Sequence, residues 1–135
     1  MNWTLEVVVV PVSDTDRSIE FYRDRVGFAL DHDSQFGPET RIVQLTPIGS
    51  GCSIVFGTGM VARMKPGSLK GLQLCVSDIT AAHRILADRG VPVSEVTVIG
   101  DSPHAGNDPL DYVGFVFFDD PDGNSWAVQQ LPGRG

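Results

Sequence analysis

Hydrophobic and polar positions along the chain alternate between short strand-like runs and two helix-like stripes. The first run, residues 5–12, is apolar and largely β-branched, which predicts a strand covered on both faces. Ile19, Tyr22 and Val26 follow with helical spacing, and Gly27 is a helix stop. Further strand-like runs come next, at residues 28–33, 40–47 and 52–57. The first part of the chain therefore predicts the order βαβββ.

The second part of the chain repeats this plan. The triplet VSD at residues 12–14 returns at residues 76–78, directly before each helical stripe. The Ser or the Asp of each copy can cap a helix, because a short side-chain oxygen accepts hydrogen bonds from the free amides of the first turn. The second stripe consists of Ile79, Ala82 and Leu86 and stops at Gly90. The strands of this part are predicted at residues 72–76, 91–99, 112–119 and 125–130.

The repeat predicts an α+β fold made of two tandem βαβββ modules. The sequence DPDGN joins the last two strands as a hairpin turn, with Pro121 presetting its φ and Gly123 accepting a positive φ. One module cannot bury its apolar sheet face alone, so the two modules are expected to pair as a single domain. The expected boundaries are residues 4–57 for the first module, 58–69 for the connector and 70–131 for the second module.

Composition and charge narrow the class of protein. The chain is 41% hydrophobic and 20% charged, as in an ordinary folded protein, and its formal charge is −7. Nucleic acid and anionic membranes require clustered basic residues, so neither is expected as a partner. No apolar run approaches the roughly 20 residues needed to span a bilayer, and no signal-like segment is evident, so a cytoplasmic location is expected. Cys52 and Cys75 are interpreted as reduced thiols, with Cys75 buried and inert.

Two segments, PVSDTDRSIEFYRDRVGF and FDDPDGN, together with the repeat, resemble the vicinal oxygen chelate superfamily. This group includes glyoxalase I, extradiol dioxygenases, and fosfomycin- and bleomycin-resistance proteins. The resemblance covers about residues 4–131. It implies a strongly curved sheet around a cavity, helices outside, and often a homodimer. It does not fix the chemistry, because these families catalyse unrelated reactions.

The resemblance also implies where a divalent metal would be held. In the enzymes of the group, His and Glu side chains from four strands bind the ion, which acts as a Lewis acid on vicinal substrate oxygens. The matching positions in this chain are Val7, Val55, Gly71 and Ala127, none of which can coordinate through its side chain. We therefore expect no metal cofactor at the usual site.

Without a metal, strand alternation predicts a lining suited to a small organic ligand. With Val7 facing the cavity, the same register brings small, apolar and neutral hydrogen-bonding residues to the wall. Tyr112 is added as a residue that could stack on a flat ligand. The predicted ligand-binding residues are Val7, Val9, Ser53, Val55, Gln73, Cys75, Tyr112, Ser125, Ala127 and Gln129.

An enzyme of the superfamily, a lyase, isomerase or dioxygenase, remains the alternative to a metal-free binding protein. His104, in a loop rich in Gly, Pro and Asp, is the candidate acid–base residue or ligand of a relocated metal, with Asp101, Asp108 and Asp111 close in sequence. His32 is interpreted as a solvated residue at a strand end, and His83 as a surface or partly packed helix residue. A regulatory or partner-binding module is a third possibility, which no basic patch supports.

Overall fold

The computed structural model describes residues 1–59, 64–101 and 108–134. The chain forms two compact units. The first comprises Met1–Leu69 and Asp120–Asn124, and the second comprises Lys70–Asp119 and Ser125–Gly135. The tip of the hairpin that contains DPDGN therefore belongs to the first unit, although its two strands belong to the second.

The first unit holds a four-stranded mixed sheet and one helix. Its strands are β1 (Val7–Val9), β2 (Ala29–Gln35), β3 (Arg41–Thr46) and β4 (Ser53–Gly57). They lie in the order β1-β4-β3-β2, with β1 parallel to β4 and the other pairs antiparallel. Helix α1 (Thr15–Ile19) continues directly into a π-helical segment, π1 (Glu20–Val26).

The second unit repeats this topology. Its elements are β5 (Leu72–Val76), α2 (Ile79–Asp88), β6 (Thr97–Val98), β7 (Gly114–Asp119) and β8 (Ser125–Gln130). The strand order is β5-β8-β7-β6, again with the first strand parallel to the last. The matching orders confirm the predicted α+β fold with a repeated βαβββ plan.

Matching caps begin and end the two helical segments. Asp14 accepts a hydrogen bond from the amide of Arg17, and Asp78 accepts one from the amide of Ala81. Gly27, with φ of 98°, and Gly90, with φ of 80°, follow the two segments. Both glycines adopt the left-handed conformation that ends helices, as the sequence predicts.

Helix and sheet of the first unit pack through aromatic side chains. Phe21 and Tyr22 are both buried, and the Tyr22 ring lies 5.9 Å from that of Phe56 on β4. The amide of Gly27 bonds the carbonyl of Tyr22, which is the i→i+5 pattern of a π-helix. This segment was predicted as α-helical. The wider turn accommodates two adjacent aromatic residues on the buried side.

In the second unit, the buried face of the sheet is the one opposite to the face that carries Ala127. Val116, Phe118, Trp126 and Val128 are buried, and the Phe118 and Trp126 rings stack with centroids 6.0 Å apart. The predicted packing of Trp126 away from the Ala127 face is therefore confirmed. Buried Gln130 accepts a hydrogen bond from the amide of Ile79, which fixes the start of α2 on β8.

Two predicted strands are much shorter than expected. The run 5–12 forms a strand only at Val7–Val9, an edge strand whose Val7 is 44% exposed, so it is not covered on both faces. Pro11 has no amide with which to extend the ladder. The run 91–99 forms a strand only at Thr97–Val98, since Pro92 interrupts it and Val93 makes just an isolated bridge to Phe118. No helix in the described part of the chain has the length and hydropathy of a membrane span.

Candidate functional site

Each sheet has one face packed against the helix of its own unit and one face without such cover. We call the uncovered faces the first and the second open face. The register places two groups of side chains on them by pairing across neighbouring strands. The first open face carries Val7, Val9, Gln44, Thr46, Ser53 and Val55, and the second carries Gln73, Cys75, Phe115, Phe117, Asp119, Ser125, Ala127 and Gln129.

A pair of parallel aromatic rings marks the second open face. Phe115 pairs with Gln129 and Phe117 with Ala127 across β7 and β8. Their ring centroids are 5.9 Å apart with an interplanar angle of 3°, and Phe117 is 39% exposed. Aligned, accessible rings offer a flat apolar surface on which another π-system can stack.

Two glutamines fix a chain of hydrogen bonds beside these rings. Gln73 Nε2 donates to Gln129 Oε1 at 2.6 Å, and Gln129 Nε2 donates to the backbone carbonyl of Tyr112 at 2.7 Å. Tyr112 has φ of 70°, a conformation that costs energy in a non-glycine residue, and its amide bonds the carbonyl of Gln130. The two contacts hold Tyr112, which is 40% exposed, at the end of β8.

The environment of Cys75 differs from the prediction. Cys75 was interpreted as a buried, inert thiol, but it is exposed. The reason is its register: Cys75 pairs with Gln129 on the second open face, which no helix of the unit covers. Burial of its neighbours Leu74 and Val76 is only partial.

A hydrogen-bonded cluster of polar side chains, which we call the polar cluster, occupies the first open face. It consists of Asp31, Gln44, Thr46 and Ser53. Thr46 Oγ1 and Gln44 Nε2 both donate to Asp31 Oδ2, the latter at 3.2 Å. Thr46 Oγ1 lies 2.6 Å from Ser53 Oγ, and Gln44 Nε2 lies 3.4 Å from it. A register shift between Leu30 and His32 brings Asp31 to this face.

Arg41 of the first unit forms ion pairs on the other side of the sheet from the polar cluster. The Arg41 guanidinium bonds Asp33 through Nη2 at 2.7 Å and Asp16 through Nη1 at 2.9 Å. The hydrogen bond from Arg41 lowers the pKa of Asp33, and the two carboxylates raise the pKa of Arg41. Asp33 pairs with Val43, whose side chain lies on the packed face, so this ion cluster is on the other side of the sheet from the polar cluster.

The predicted site residues divide between the two faces. Val7, Val9, Ser53 and Val55 lie on the first open face; Gln73, Cys75, Ser125, Ala127 and Gln129 lie on the second, with Tyr112 next to it. Sequence reasoning missed Asp31, Gln44, Thr46, Phe115 and Phe117. For all but Asp31 the signal was present, because the alternation that placed Val55 and Ala127 also places their partners on β3 and β7.

The positions that would hold the metal of related enzymes do not fit one. Val7 pairs with Ser53, Val55 with Gln44, and Ala127 with Gln73. Gly71 lies just before β5 with φ of 91°. None of the four matching side chains carries a donor atom. Within residues 1–59, 64–101 and 108–134, no group of three or more His, Cys, Asp or Glu side chains is arranged to hold a metal ion.

The histidines and their neighbours give no acid–base arrangement in the described residues. His104 lies outside them, but two nearby acids make structural contacts: Asp108 Oδ1 accepts from the amide of Leu110, and Asp111 Oδ1 from Gln130 Nε2. His32 is exposed on β2, as predicted. His83 is a partly packed residue of α2, with Nε2 4.0 Å from Glu95 Oε2.

Comparison with known proteins identifies the family. The family model of the Glyoxalase/Bleomycin resistance protein/Dioxygenase superfamily matches residues 4–128. The chain belongs to this superfamily. The match spans both βαβββ repeats and confirms the resemblance seen in the sequence. No curated protein sequence matches the chain significantly.

Several solved structures of this superfamily are similar to the chain. TnmS3, an antibiotic binding protein from Streptomyces sp. CB03234, is 35% identical, with a TM-score of 0.73 over 96% of this chain and 97% of its own. A glyoxalase/bleomycin resistance protein from the same strain is 36% identical, with a TM-score of 0.70 over 94% of this chain and 100% of its own. A superfamily member from Sphaerobacter thermophilus DSM 20745 is 26% identical, with a TM-score of 0.76 over 96% of this chain and 98% of its own.

Proposed function

We propose that this superfamily member binds a small, flat organic molecule on the second open face and does not convert it. The observation that carries the proposal is the parallel pair of Phe115 and Phe117, with Phe117 accessible, beside the fixed amides of Gln73 and Gln129. Rings supply apolar contact area, while fixed amides supply orientation. This combination is typical of a site that holds an organic ligand.

Similarity to a binding protein supports the same proposal. TnmS3, at 35% identity over nearly the full length of both chains, is an antibiotic binding protein. We extend this class of ligand, an organic antibiotic, to the present chain. The formal charge of −7 is compatible with a neutral or cationic ligand.

The absence of conversion is proposed from the chemistry of the side chains. The superfamily enzymes that use a metal need His or Glu donors, and the matching residues here are Val7, Val55, Gly71 and Ala127. Cys75, a nucleophile on the second open face, lies opposite Gln129 in the strand register, and the amide of Gln129 is not a base. The chemistry of this face favours holding a ligand over transforming it.

Binding is tested with daunorubicin, a planar fluorescent antibiotic, titrated with the purified protein in the presence of EDTA. Phe117→Ala removes the accessible ring and is expected to raise Kd by roughly two- to tenfold, since an aromatic pair contributes about 0.5–1.5 kcal/mol beyond the area it buries. Phe36→Ala is the matched control, because it removes a 59% exposed phenylalanine ring that follows β2 in the first unit. Equal Kd values for the two variants would place the ligand elsewhere and overturn the assignment.

Conversion is tested separately by mass spectrometry. Daunorubicin is incubated with the protein alone and with Ni²⁺, Zn²⁺, Mn²⁺ or Fe²⁺, the last anaerobically, and is expected to be recovered at unchanged mass. A product that forms with wild type and disappears in His104→Ala would support the enzyme alternative instead. A product that survives this substitution would locate the chemistry at another residue and contradict the binding proposal equally.

A further inference from the structure

The hydrogen atoms of the polar cluster can be counted. Thr46 has one hydroxyl hydrogen, and it is donated to Asp31 Oδ2, because an ionised carboxylate only accepts. In the 2.6 Å contact between Thr46 and Ser53, Ser53 must therefore be the donor. The two Nε2 hydrogens of Gln44 go to Asp31 Oδ2 at 3.2 Å and to Ser53 Oγ at 3.4 Å.

After this count, the polar cluster has no side-chain hydrogen left to donate, so it can offer an outside group only hydrogen-bond acceptors. Every side-chain hydrogen of its hydroxyl and amide members is directed inward, ending on the Asp31 carboxylate or on Ser53. The side-chain oxygens of Asp31 and Gln44 that take no part in this network are Asp31 Oδ1 and Gln44 Oε1, one charged and one neutral acceptor. An outside group can bond to them only by donating, and a group with positive charge gains most from the carboxylate.

Within the described part of the chain, no Lys, Arg or His forms an ion pair with Asp31, although His32 is its neighbour in sequence and pairs with Gln44 in the strand register. Arg41 lies on the packed side of the sheet with Asp33 and Asp16. Arg17 pairs with Asp122, and Arg25 pairs with Glu20. Asp31 is exposed and Gln44 partly exposed, while Ser53 of the same cluster is only 8% exposed.

We propose that the polar cluster binds the ammonium group of an organic amine on the first open face. An alkylammonium has three hydrogens to donate, and Asp31 Oδ1 and Gln44 Oε1 accept two of them, leaving the third to water. The net charge of −7 attracts such a cation over distance. A divalent metal fits less well, because Ca²⁺ takes six to eight oxygen ligands. The inference names a ligand class for a site on the first unit, and it does not rest on the proposed function of the second open face.

The test uses two probes of the same shape. Benzylamine is an ammonium at pH 7.5, and benzyl alcohol is its neutral counterpart. Each is titrated into ¹⁵N-labelled protein while the backbone amide signals of β2, β3 and β4 are followed by NMR. Saturable shifts of these signals are expected with benzylamine and not with benzyl alcohol.

Substitutions then assign the effect to Asp31. Asp31→Asn keeps the shape, removes the charge and is expected to weaken benzylamine binding by about tenfold, the size of one charge-assisted hydrogen bond. Glu39→Gln removes the same charge from an exposed residue between β2 and β3, and is expected to leave the affinity within about twofold. Equal losses of benzylamine affinity in both variants would mean that only the net charge of the protein matters, and would overturn the proposed site.

Further outcomes separate this inference from the proposed function. Phe117→Ala is expected to weaken daunorubicin binding and to leave the benzylamine shifts intact. Because daunorubicin carries an ammonium group of its own, its binding is also compared in Asp31→Asn and Phe117→Ala, and a loss in Asp31→Asn alone would retain the amine site and reject the second open face. Daunorubicin binding without benzylamine shifts would retain the second open face and reject the amine site. Displacement of benzylamine by Ca²⁺ at equal concentration would make the polar cluster an inorganic cation site and overturn the ligand class.

Discussion

Tyr22 Oη donates a 2.7 Å hydrogen bond to Asp120 Oδ2 in the interior of the first unit. Tyr22 comes from π1, and Asp120 begins the DPDGN turn. Asn124 ends the same turn, donating from Nδ2 to Asp120 Oδ2 and to the carbonyl of Pro11, each at 2.8 Å. The sequence predicts this segment only as a hairpin turn, but its polar residues also anchor it to the start of the chain.

Removing the Tyr22 hydroxyl is expected to destabilise the protein. Tyr22→Phe keeps the ring contacts with Phe28 and Phe56 but leaves the buried Asp120 carboxylate one donor short. A hydrogen bond to a charged group contributes about 1.5–3 kcal/mol to the free energy of unfolding. Urea denaturation of the two proteins measures the difference. A loss below about 0.5 kcal/mol would mean that the other donors to Asp120 suffice.

A close backbone approach beside the same turn gives a second prediction. Gly67 has φ of 79°, and a Cβ at this position would lie 2.0 Å from the carbonyl oxygen of Asp122. Gly37 has φ of 78° with nothing within 4 Å of such a Cβ. Gly37→Ala should therefore cost only the left-handed penalty, about 1–2 kcal/mol, whereas Gly67→Ala should cost clearly more. Thermal unfolding compares them, and equal losses would show that the turn can move aside.

The ion cluster of the first unit predicts a pH dependence. The Arg41 hydrogen bond lowers the pKa of Asp33 in the folded protein, so the contact stabilises the fold above the ordinary pKa of aspartate, about 3.9. This stabilisation is lost as the pH falls through the lowered folded pKa. Asp33→Asn should reduce the free energy of unfolding by roughly 0.5–1 kcal/mol at pH 7 and progressively less below about pH 4. A penalty that stays constant down to pH 3 would show that the charge of Asp33 is not responsible.

The two cysteines should differ in reactivity. Cys75 is exposed on the second open face, whereas Cys52 is half-buried with its Sγ directed to the carbonyl of Ser53 at 3.8 Å. Iodoacetamide should alkylate Cys75 several times faster, as peptide mass spectrometry would measure. Bound daunorubicin should slow the alkylation of Cys75 and leave that of Cys52 unchanged. Protection of Cys52 alone would point to a ligand on the first unit.

Local signals in the sequence were sufficient for the helix ends and two strands. The caps Asp14 and Asp78 and the stops Gly27 and Gly90 behave as predicted, because each acts through its own backbone and nearest amides. The strands Leu72–Val76 and Ser125–Gln130 match their predicted bounds, since turn residues delimit both. Such features depend on a few adjacent residues and are therefore readable without the fold.

Features that depend on residues distant in sequence could not be predicted from the local sequence in the same way. Asp31 joins the polar cluster through a register shift on β2, and no single residue type in the sequence predicts such a shift. Cys75 was assigned to the interior from its residue type, but the open face decides its exposure. Residues 91–99 were predicted as one strand, whereas only Thr97–Val98 forms a strand beside β7 and Val93 makes just an isolated bridge to it. Pairing across the sheet, rather than local propensity, determined all three.

Binding without a metal is tested most directly by titrating the EDTA-treated wild-type protein with daunorubicin in a calorimeter, then repeating the titration in the presence of Ni²⁺. Saturable binding with one ligand per chain and the same Kd in both titrations is the predicted result. Heat that appears only after Ni²⁺ is added would show that a metal completes the site, contradicting the account. An absence of heat under both conditions would contradict binding of this planar antibiotic altogether.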